Sequence, residues 1–423
     1  MSYFSVLLFV LVLCNKPLNS IADDAISTGD TLRASQTITS KYGRFRMGFF
    51  APGKSQNYYI SIWYAQVSET TIVWVANRDK PITASELSNS ELKLLENGNL
   101  VLYNPSRTSI WSTNSASSTS NTTEAVLGDN GNLVLRDKSK PSVVIWQSFD
   151  FPTDTWLPGA KIGINKKTRE TKLLTSWRNQ EDPAKGIFSL DIDPTGINQY
   201  IIKWNKSEAY WTSGEWNEQT KTFSLVPEMR FNYIYNFSYI SNEDESYFNY
   251  TIYNNSILSR FVMDVSGQMK QFTWSNTTQK WNMFASEPKQ LCDVYGICGA
   301  FGICNQDTSK CECLSGFIER FPSDWNLRDS TGGCHRDAYL QCGSNNVFSP
   351  IPTSKLPDYS QSGHVNSAEK CKSACQSTCS CNAYAFGNTG CQLWQEDMLN
   401  TKQKSDQSDD RPGNLYLKLA EGK

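Results

Sequence analysis

The segment GNLVLYNPSRTSIW starts at Gly98, and GNLVLRDKSKPSVVIW starts at Gly131. One pattern is therefore written twice, thirty-three residues apart. A repeat of this kind marks a unit that cannot bury its apolar face alone and must pack against copies of itself. The flanking runs, TIVWVANRD, KLLENGNLVLY and GDNGNLVLRD, alternate apolar and polar residues as strands do. Asn97-Gly98 and Asn130-Gly131 are turn signals, since both residue types tolerate positive φ. The copies run on into Trp111 and Trp146, and a weaker unit, FRMGFF with YYISIWY, precedes them and ends near Trp63. Three hairpin-rich units predict a sheet-based domain with internal threefold pseudo-symmetry.

The chain has 423 residues, enough for two to four domains with their own cores. QSFDFPTDTWLPG, residues 147–159, is rich in turn residues and reads as a domain exit. A second β-rich stretch follows from about Leu173 to Phe284 without a cysteine. From Cys292 onward the chain consists of short loops between cysteines, and FSPIPTSKLPDYS then leads to one helix. Asn366 can cap that helix, with Glu369 three residues on. Spacing by four sets Cys371, Cys375 and Cys379 on one helix face. NLYLKLA alternates again and reads as a closing strand.

The N-terminus, MSYFSVLLFVLVLCNKPLNSIADD, has an apolar run from Phe4 to Leu13 and a small-x-small site at Ser20-Ile21-Ala22. It reads as a signal peptide over residues 1–22, although its n-region carries no Lys or Arg. Ten apolar residues are too few to span a bilayer, and no later apolar stretch reaches about twenty. Of the thirteen cysteines, Cys14 lies in this leader and the other twelve fall between Cys292 and Cys391. An even, clustered set in a secreted chain reads as disulfides, and only two histidines accompany it, which argues against zinc. Sequons at Asn121, Asn205, Asn236, Asn249, Asn254 and Asn276 fit a glycosylated surface. A net charge of -2 without a long Lys/Arg run excludes general attraction to nucleic acid or anionic membrane.

Four regions, in order, carry a resemblance. MGFFAPG, IVWVANRDKPI, NGNLVL and WQSFDFPTDTWLPG resemble a bulb-type mannose-lectin domain. SWRNQEDPAKGIFSLDIDPTG, YWTSGEWN and LVPEM resemble the S-locus glycoprotein domain. CDVYGICGAFGICNQDTSKCECLSGFIERFPSDW resembles its EGF-like module, and CKSACQSTCSCNAYAF with GCQLW resembles a PAN/apple module. The chain is thereby similar to the extracellular part of plant S-domain (G-type lectin) receptor-like serine/threonine kinases, or to a secreted S-locus glycoprotein. The resemblance implies a mainly β fold. A bulb-lectin-like β-prism would occupy 23–160 and a second β-rich S-locus glycoprotein domain 165–287. An EGF-like module at 288–335 and a small α+β PAN/apple module at 342–420 would follow. It also implies the pairs Cys292–Cys304, Cys298–Cys311, Cys313–Cys334, Cys371–Cys391 and Cys375–Cys381, leaving Cys342 for Cys379.

Bulb lectins carry Gln-x-Asp-x-Asn-x-Val-x-Tyr, whose polar residues and Tyr bind mannose hydroxyls. The matching positions here are Leu95, Asn97, Asn99, Val101 and Tyr103 in one copy, and Gly128, Asn130, Asn132, Val134 and Arg136 in the other. The Gln amide is lost in both, and the Asp carboxylate is a neutral Asn in both. Hydrogen bonds to a charged group contribute roughly 1.5–3 kcal/mol, against a total of about 4 kcal/mol for a millimolar ligand. Arg136 puts a cation without acceptor capacity where a Tyr hydroxyl would stand. The copies keep turn and strand residues and have dropped the sugar-binding set.

Catalytic signals fail on inspection. His335-Arg336-Asp337 matches the triplet of a kinase catalytic loop, but the metal-holding Asn position is Cys342, and the other kinase motifs are missing. Asp191-x-Asp193-x-Thr195-Gly196 lacks the bidentate Glu of a calcium loop, with Ile202 in its place. Gly296, Gly299 and Gly302 alternate with cysteines and serve turns. No catalytic, metal or cofactor residue is expected. The expected function is extracellular recognition, such as pollen recognition or defence signalling. A protein, peptide or glycan ligand would bind, and ectodomains would pair through the C-terminal modules, which carry no sequon. The expected location is extracellular, at the outer face of the plasma membrane if the parent is a receptor kinase. The kinase domain is absent from this chain. A stand-alone secreted glycoprotein and a carbohydrate-binding lectin are the alternatives.

Overall fold

A computed structural model describes residues 24–115, 122–342, 346–405 and 413–420. Residues 1–22, read as a signal peptide, and the sequon at Asn121 lie outside the described residues.

The repeats build three antiparallel sheets, the first of five strands and the other two of four. Thr37–Thr39, Phe45–Phe50, Asn57–Tyr64 and Ile72–Val75 form the first, with Ile82–Thr83 paired to Asn57–Tyr64 as its fifth strand. Glu91–Leu94, Leu100–Tyr103 and Ser109–Ser112 form the second with Thr31–Arg33 at its edge. Thr123–Leu127, Leu133–Asp137 and Lys140–Gln147 form the third with Ala25–Ser27 at its edge. Alternation puts Met47, Ile60, Ile62, Leu92, Leu100, Leu102, Leu133 and Leu135 into a common core, each fully buried. Each sheet sends one tryptophan to the centre. Trp74, Trp111 and Trp146 meet edge-to-face with centroids 5.9–6.0 Å apart, the geometry that aromatic quadrupoles favour. The first unit's contribution is therefore Trp74, not Trp63. Trp63 sits on the other face of its sheet, beside Phe50 in a separate small cluster. The symmetry extends to polar detail. Asn77, Thr113 and Ser148, two or three residues after those tryptophans, each accept the backbone N–H of the first core residue of the middle strand: Ile60, Leu100 and Leu133 at 2.8–3.1 Å.

The second β-rich region repeats the plan. Its sheets order as Thr155–Trp156 with Ser259–Met263, Met269–Ser275 and Lys280–Glu287; Thr171–Lys172 with Ile162–Asn165, Glu245–Ile252 and Tyr235–Ser241; and Leu174–Asn179 with Asp182–Ile192, Tyr200–Trp204 and Glu208–Thr212. Three sheets again surround one aromatic core, here each of four strands, with Trp156, Phe248 and Tyr250 among the most buried members. The two β domains are tied by directed polar contacts. The Arg78 guanidinium donates to the carbonyls of Pro183, Thr175 and Ser176 at 2.6, 3.1 and 2.9 Å. Tyr64 Oη donates to Ser259 O, and Trp281 Nε1 donates to Thr71 Oγ1.

The cysteine-rich end is less modular than its sequence. Cys292, Val294, Ile297 and Cys298 belong to the core of the second β domain. Ile303, Leu314 and Phe317 share a core with Trp394, Leu415 and Leu417 near the C-terminus. Gly302–Asn305 pairs in parallel with Thr401–Gln403, so a single eight-stranded sheet runs through both C-terminal regions. The helix is Ala368–Ser377. Its N-cap is Ser367, whose Oγ accepts from Lys370 N, rather than Asn366. Cys379 lies beyond its end, so only Cys371 and Cys375 share its buried face. Its C-terminal carbonyls are met by the buried Lys418 ammonium, which donates to Cys375 O and Thr378 O at 3.1 Å each. The tail strand is Gly413–Leu419.

Candidate functional site

The two lectin-type motifs sit on equivalent hairpins. In the first, Leu95 N donates to Asn99 O and Gly98 N to Leu95 O; in the second, Gly128 N donates to Asn132 O and Gly131 N to Gly128 O. Gly98 and Gly131 have φ of +80° and +84°. At Gly131 a Cβ would also come within 2.6 Å of the Leu157 side chain, so glycine is needed twice over. Asn97 and Asn130 spend their carbonyl oxygens inside these turns, accepting from Asn99 N and Asn132 N at 3.1 Å each.

The next polar position is also occupied internally. Asn99 Oδ1 accepts from Ser115 N, Ser115 Oγ and Thr113 Oγ1 at 2.9, 3.0 and 3.3 Å. Asn132 is buried; its Oδ1 accepts from Ser148 Oγ and Phe149 N, and its Nδ2 donates to Gln147 Oε1. Both asparagines thus hold the chain where it leaves the following tryptophan strand. Val101 is buried and faces Lys93 across the ladder; Val134 is half-buried and faces Val126.

At the final motif position each copy faces a buried glutamate across the ladder. Tyr103 lies opposite Glu91 and Arg136 lies opposite Glu124. Both glutamates are buried. Arg136 Nε donates to Glu124 Oε1 at 2.9 Å. In the first copy Arg33 Nη2 donates to Glu91 Oε2 at 2.8 Å and Arg107 donates to Glu91 Oε1. A buried carboxylate therefore stands under each site and is paired with arginine in both copies. Tyr103 survives where two arginines come from elsewhere, and Arg136 appears where the motif position must supply the cation itself. Sequence reasoning missed Glu91, Glu124, Arg33 and Arg107. A signal existed: each glutamate precedes its motif residue by twelve positions, the same offset in both copies.

The other singled-out residues lie apart from these turns. The disulfides are Cys292–Cys304, Cys298–Cys311, Cys313–Cys334, Cys342–Cys379, Cys371–Cys391 and Cys375–Cys381. The sulfurs of Cys298, Cys304 and Cys311 cluster within 4.8 Å, but each is consumed by a disulfide and offers no thiolate to a metal. Asn205, Asn236, Asn254 and Asn276 are exposed, while Asn249 is half-buried and accepts from Ser238 across the ladder. His335 is exposed on the short strand Cys334–Arg336. Asp193 accepts from Thr195 N in a turn. Among the described residues no helix is long and apolar enough to cross a membrane.

Comparison with known proteins agrees with this architecture. Residues 71–178 match the D-mannose binding lectin domain, 211–321 the S-locus glycoprotein domain and 342–401 the PAN-like domain. Three such domains in this order define an S-domain protein, and the chain belongs to that family. It is similar to a G-type lectin S-receptor-like serine/threonine-protein kinase of Arabidopsis thaliana, 48% identical over 95% of this chain and 49% of that protein. It is also similar to the receptor-like serine/threonine-protein kinase SD1-8 of the same plant, 36% identical over 97% of this chain and 49% of that one. The chain spans about half the length of the curated relatives it matches, and none of its matched domains is a kinase domain. Among solved structures, the mannose-specific agglutinin of snowdrop (Galanthus nivalis) aligns over 27% of this chain and 89% of that one, at 22% identity and a TM-score of 0.21.

Proposed function

We propose that this chain is the extracellular recognition region of an S-domain receptor-like kinase, and that it recognises its ligand without the monosaccharide sites of bulb lectins. The observation that carries the proposal is its 48% identity over 95% of its length to a receptor-like kinase of which it spans 49%. A signal peptide over residues 1–22, secretion, and placement of the intact parent at the outer face of the plasma membrane belong to the same reading. So does a role in cell recognition such as pollen recognition or defence. Residues 288–335 are read as an EGF-like module, supported by the one–three, two–four, five–six order of their disulfides. Transcript sequence beyond the codon for Lys423 tests attachment. A membrane-spanning stretch and kinase motifs are expected. A stop codon directly after Lys423 favours the stand-alone glycoprotein instead.

Pairing of two ectodomains is assigned to the C-terminal modules, because the sequons concentrate on the second β domain. Gly387 is exposed at a hairpin tip, and a side chain there meets nothing within 4 Å. Gly387→Asn creates a sequon with Thr389 and puts a glycan on that surface. Loss of self-association in sedimentation equilibrium is expected. Unchanged association places the contact elsewhere.

A further inference from the structure

The two β domains are filled differently. The first closes with Trp74, Trp111 and Trp146, one from each sheet. The second brings Trp211 of Glu208–Thr212, Tyr235 and Phe237 of Tyr235–Ser241, and Phe284 and Ala285 of Lys280–Glu287 around a cavity of about 320 Å³. Small-molecule sites span about 300–1,000 Å³ and combine apolar walls with a few convergent polar groups. Aromatic side chains dominate these walls, and Tyr233 and Phe284, both exposed, form part of the lining.

Two polar atoms of the lining lack partners among the described residues. The Tyr200 hydroxyl is buried without a hydrogen bond, on a residue that is 5% exposed. Glu287 Oε1 is buried and, once the Glu287–Glu228 pair has lost its proton, has no hydrogen-bond donor, while Oε2 accepts from Trp211 Nε1 at 3.1 Å. Leaving such atoms unmatched is unfavourable, so a group that meets them gains what the apolar walls cannot supply. The Glu228 carboxyl lies against that of Glu287 and is itself paired with Lys289 Nζ at 3.2 Å. Above about pH 7, where Glu287 is ionised, two carboxylates and one ammonium leave the polar side of the cavity acidic.

We propose that this cavity is a binding site for a small aromatic amine: a ring between the aromatic walls, an ammonium on Glu287, and a polar atom of the ring's far side on the Tyr200 hydroxyl. A carboxylate-headed ligand of the same shape is repelled by the same acidic pair. The site is independent of the lectin-type turns, and the assignment does not rest on the receptor reading.

Calorimetric titration of the glycosylated chain at about pH 8, where Glu287 is ionised, with tyramine, phenethylamine and 3-(4-hydroxyphenyl)propanoate tests it. Tyramine should bind saturably and about tenfold tighter than phenethylamine, and the propanoate should give no saturable heat, a tenfold step corresponding to about 1.4 kcal/mol. Tyr200→Phe should remove the difference between the two amines. Glu287→Gln should weaken tyramine about tenfold or more. Ala285→Trp, which fills the cavity as tryptophans fill the first domain, should abolish binding while circular dichroism stays β-rich. If Ala285→Trp does not fold, the Tyr200→Phe and Glu287→Gln results decide. No saturable binding by either amine, or equal binding of amine and propanoate, overturns the proposal.

Discussion

Arg136 Nε donates to Glu124 Oε1 at 2.9 Å in the position where a bulb lectin would offer a tyrosine to mannose. The glutamate side chain is 11% exposed and the arginine 32%. Removing the cation leaves a nearly buried carboxylate unpaired, which costs more than an intact surface pair contributes. Arg136→Tyr, which makes the second copy read like the first, should destabilise the domain by about 1–3 kcal/mol in urea unfolding. Adding Glu124→Gln should restore most of the loss. No difference between parent and Arg136→Tyr would mean that the pair is ornamental.

Arg78 is one of the polar ties between the two β domains, beside Tyr64–Ser259 and Trp281–Thr71. Burial pulls its pKa below the ordinary arginine value, while Asp154, Asp79 and Asp182 oppose that pull. Arg78→Met keeps the stem and removes the donors to Pro183, Thr175 and Ser176. A loss of about 3 kcal/mol or more is expected, with the domains' thermal transitions drawing apart in calorimetry. One undivided transition at the parental temperature would contradict this role.

Glu287 gives a pH test. Burial comes first, and the Glu228 carboxylate second, in raising its pKa from 4.5 to about 7; Lys289 and Trp211 pull the other way. A carboxyl raised by folding holds its proton more tightly in the folded chain. Its contribution is complete below about pH 4.5 and lost as pH rises through about 7. Relative to Glu287→Gln, the parent should therefore lose melting temperature between about pH 5 and pH 8. Parallel profiles would show that Glu287 ionises as an exposed glutamate does.

Much of the architecture could be read from local pattern. Asn-Gly turns, alternating strands and repeated tryptophans expose the threefold unit, because turn chemistry and side-chain period are properties of neighbouring residues. The choice of Trp74 over Trp63 was not legible, since strand alternation names two faces without saying which meets the other sheets. The site was half legible. Loss of Gln and Asp is visible in the motif, whereas Glu91, Glu124 and their arginines meet only across strands. The cavity of the second domain had no sequence signal, because its walls come from segments as far apart as Trp156 and Glu287. Module edges were misleading for a related reason. Cysteine spacing is local, but the cores around Cys292 and Ile303 are shared with distant strands.

The disulfides at the C-terminal end stand in place of large cores. Cys371, Cys375, Cys381 and Cys391 are all buried around one small cluster. Non-reducing peptide mapping should return the six pairs without a free thiol. Cys371→Ala with Cys391→Ala should cost about 2–4 kcal/mol. A bond joining a cysteine of 292–334 to one of 342–391 would contradict the scheme.

The central claim is that the lectin-type turns have become structural: Asn97 and Asn130 close their own turns, Asn99 and Asn132 brace the chain, and arginines occupy the glutamates beneath. Calorimetric titration of the whole chain with methyl α-D-mannoside, to about 10 mM, tests it directly, since even a millimolar site with about 4 kcal/mol of binding free energy would saturate in that range. The predicted result is dilution heat alone. Saturable binding that Asn99→Ala or Asn132→Ala removes would contradict it.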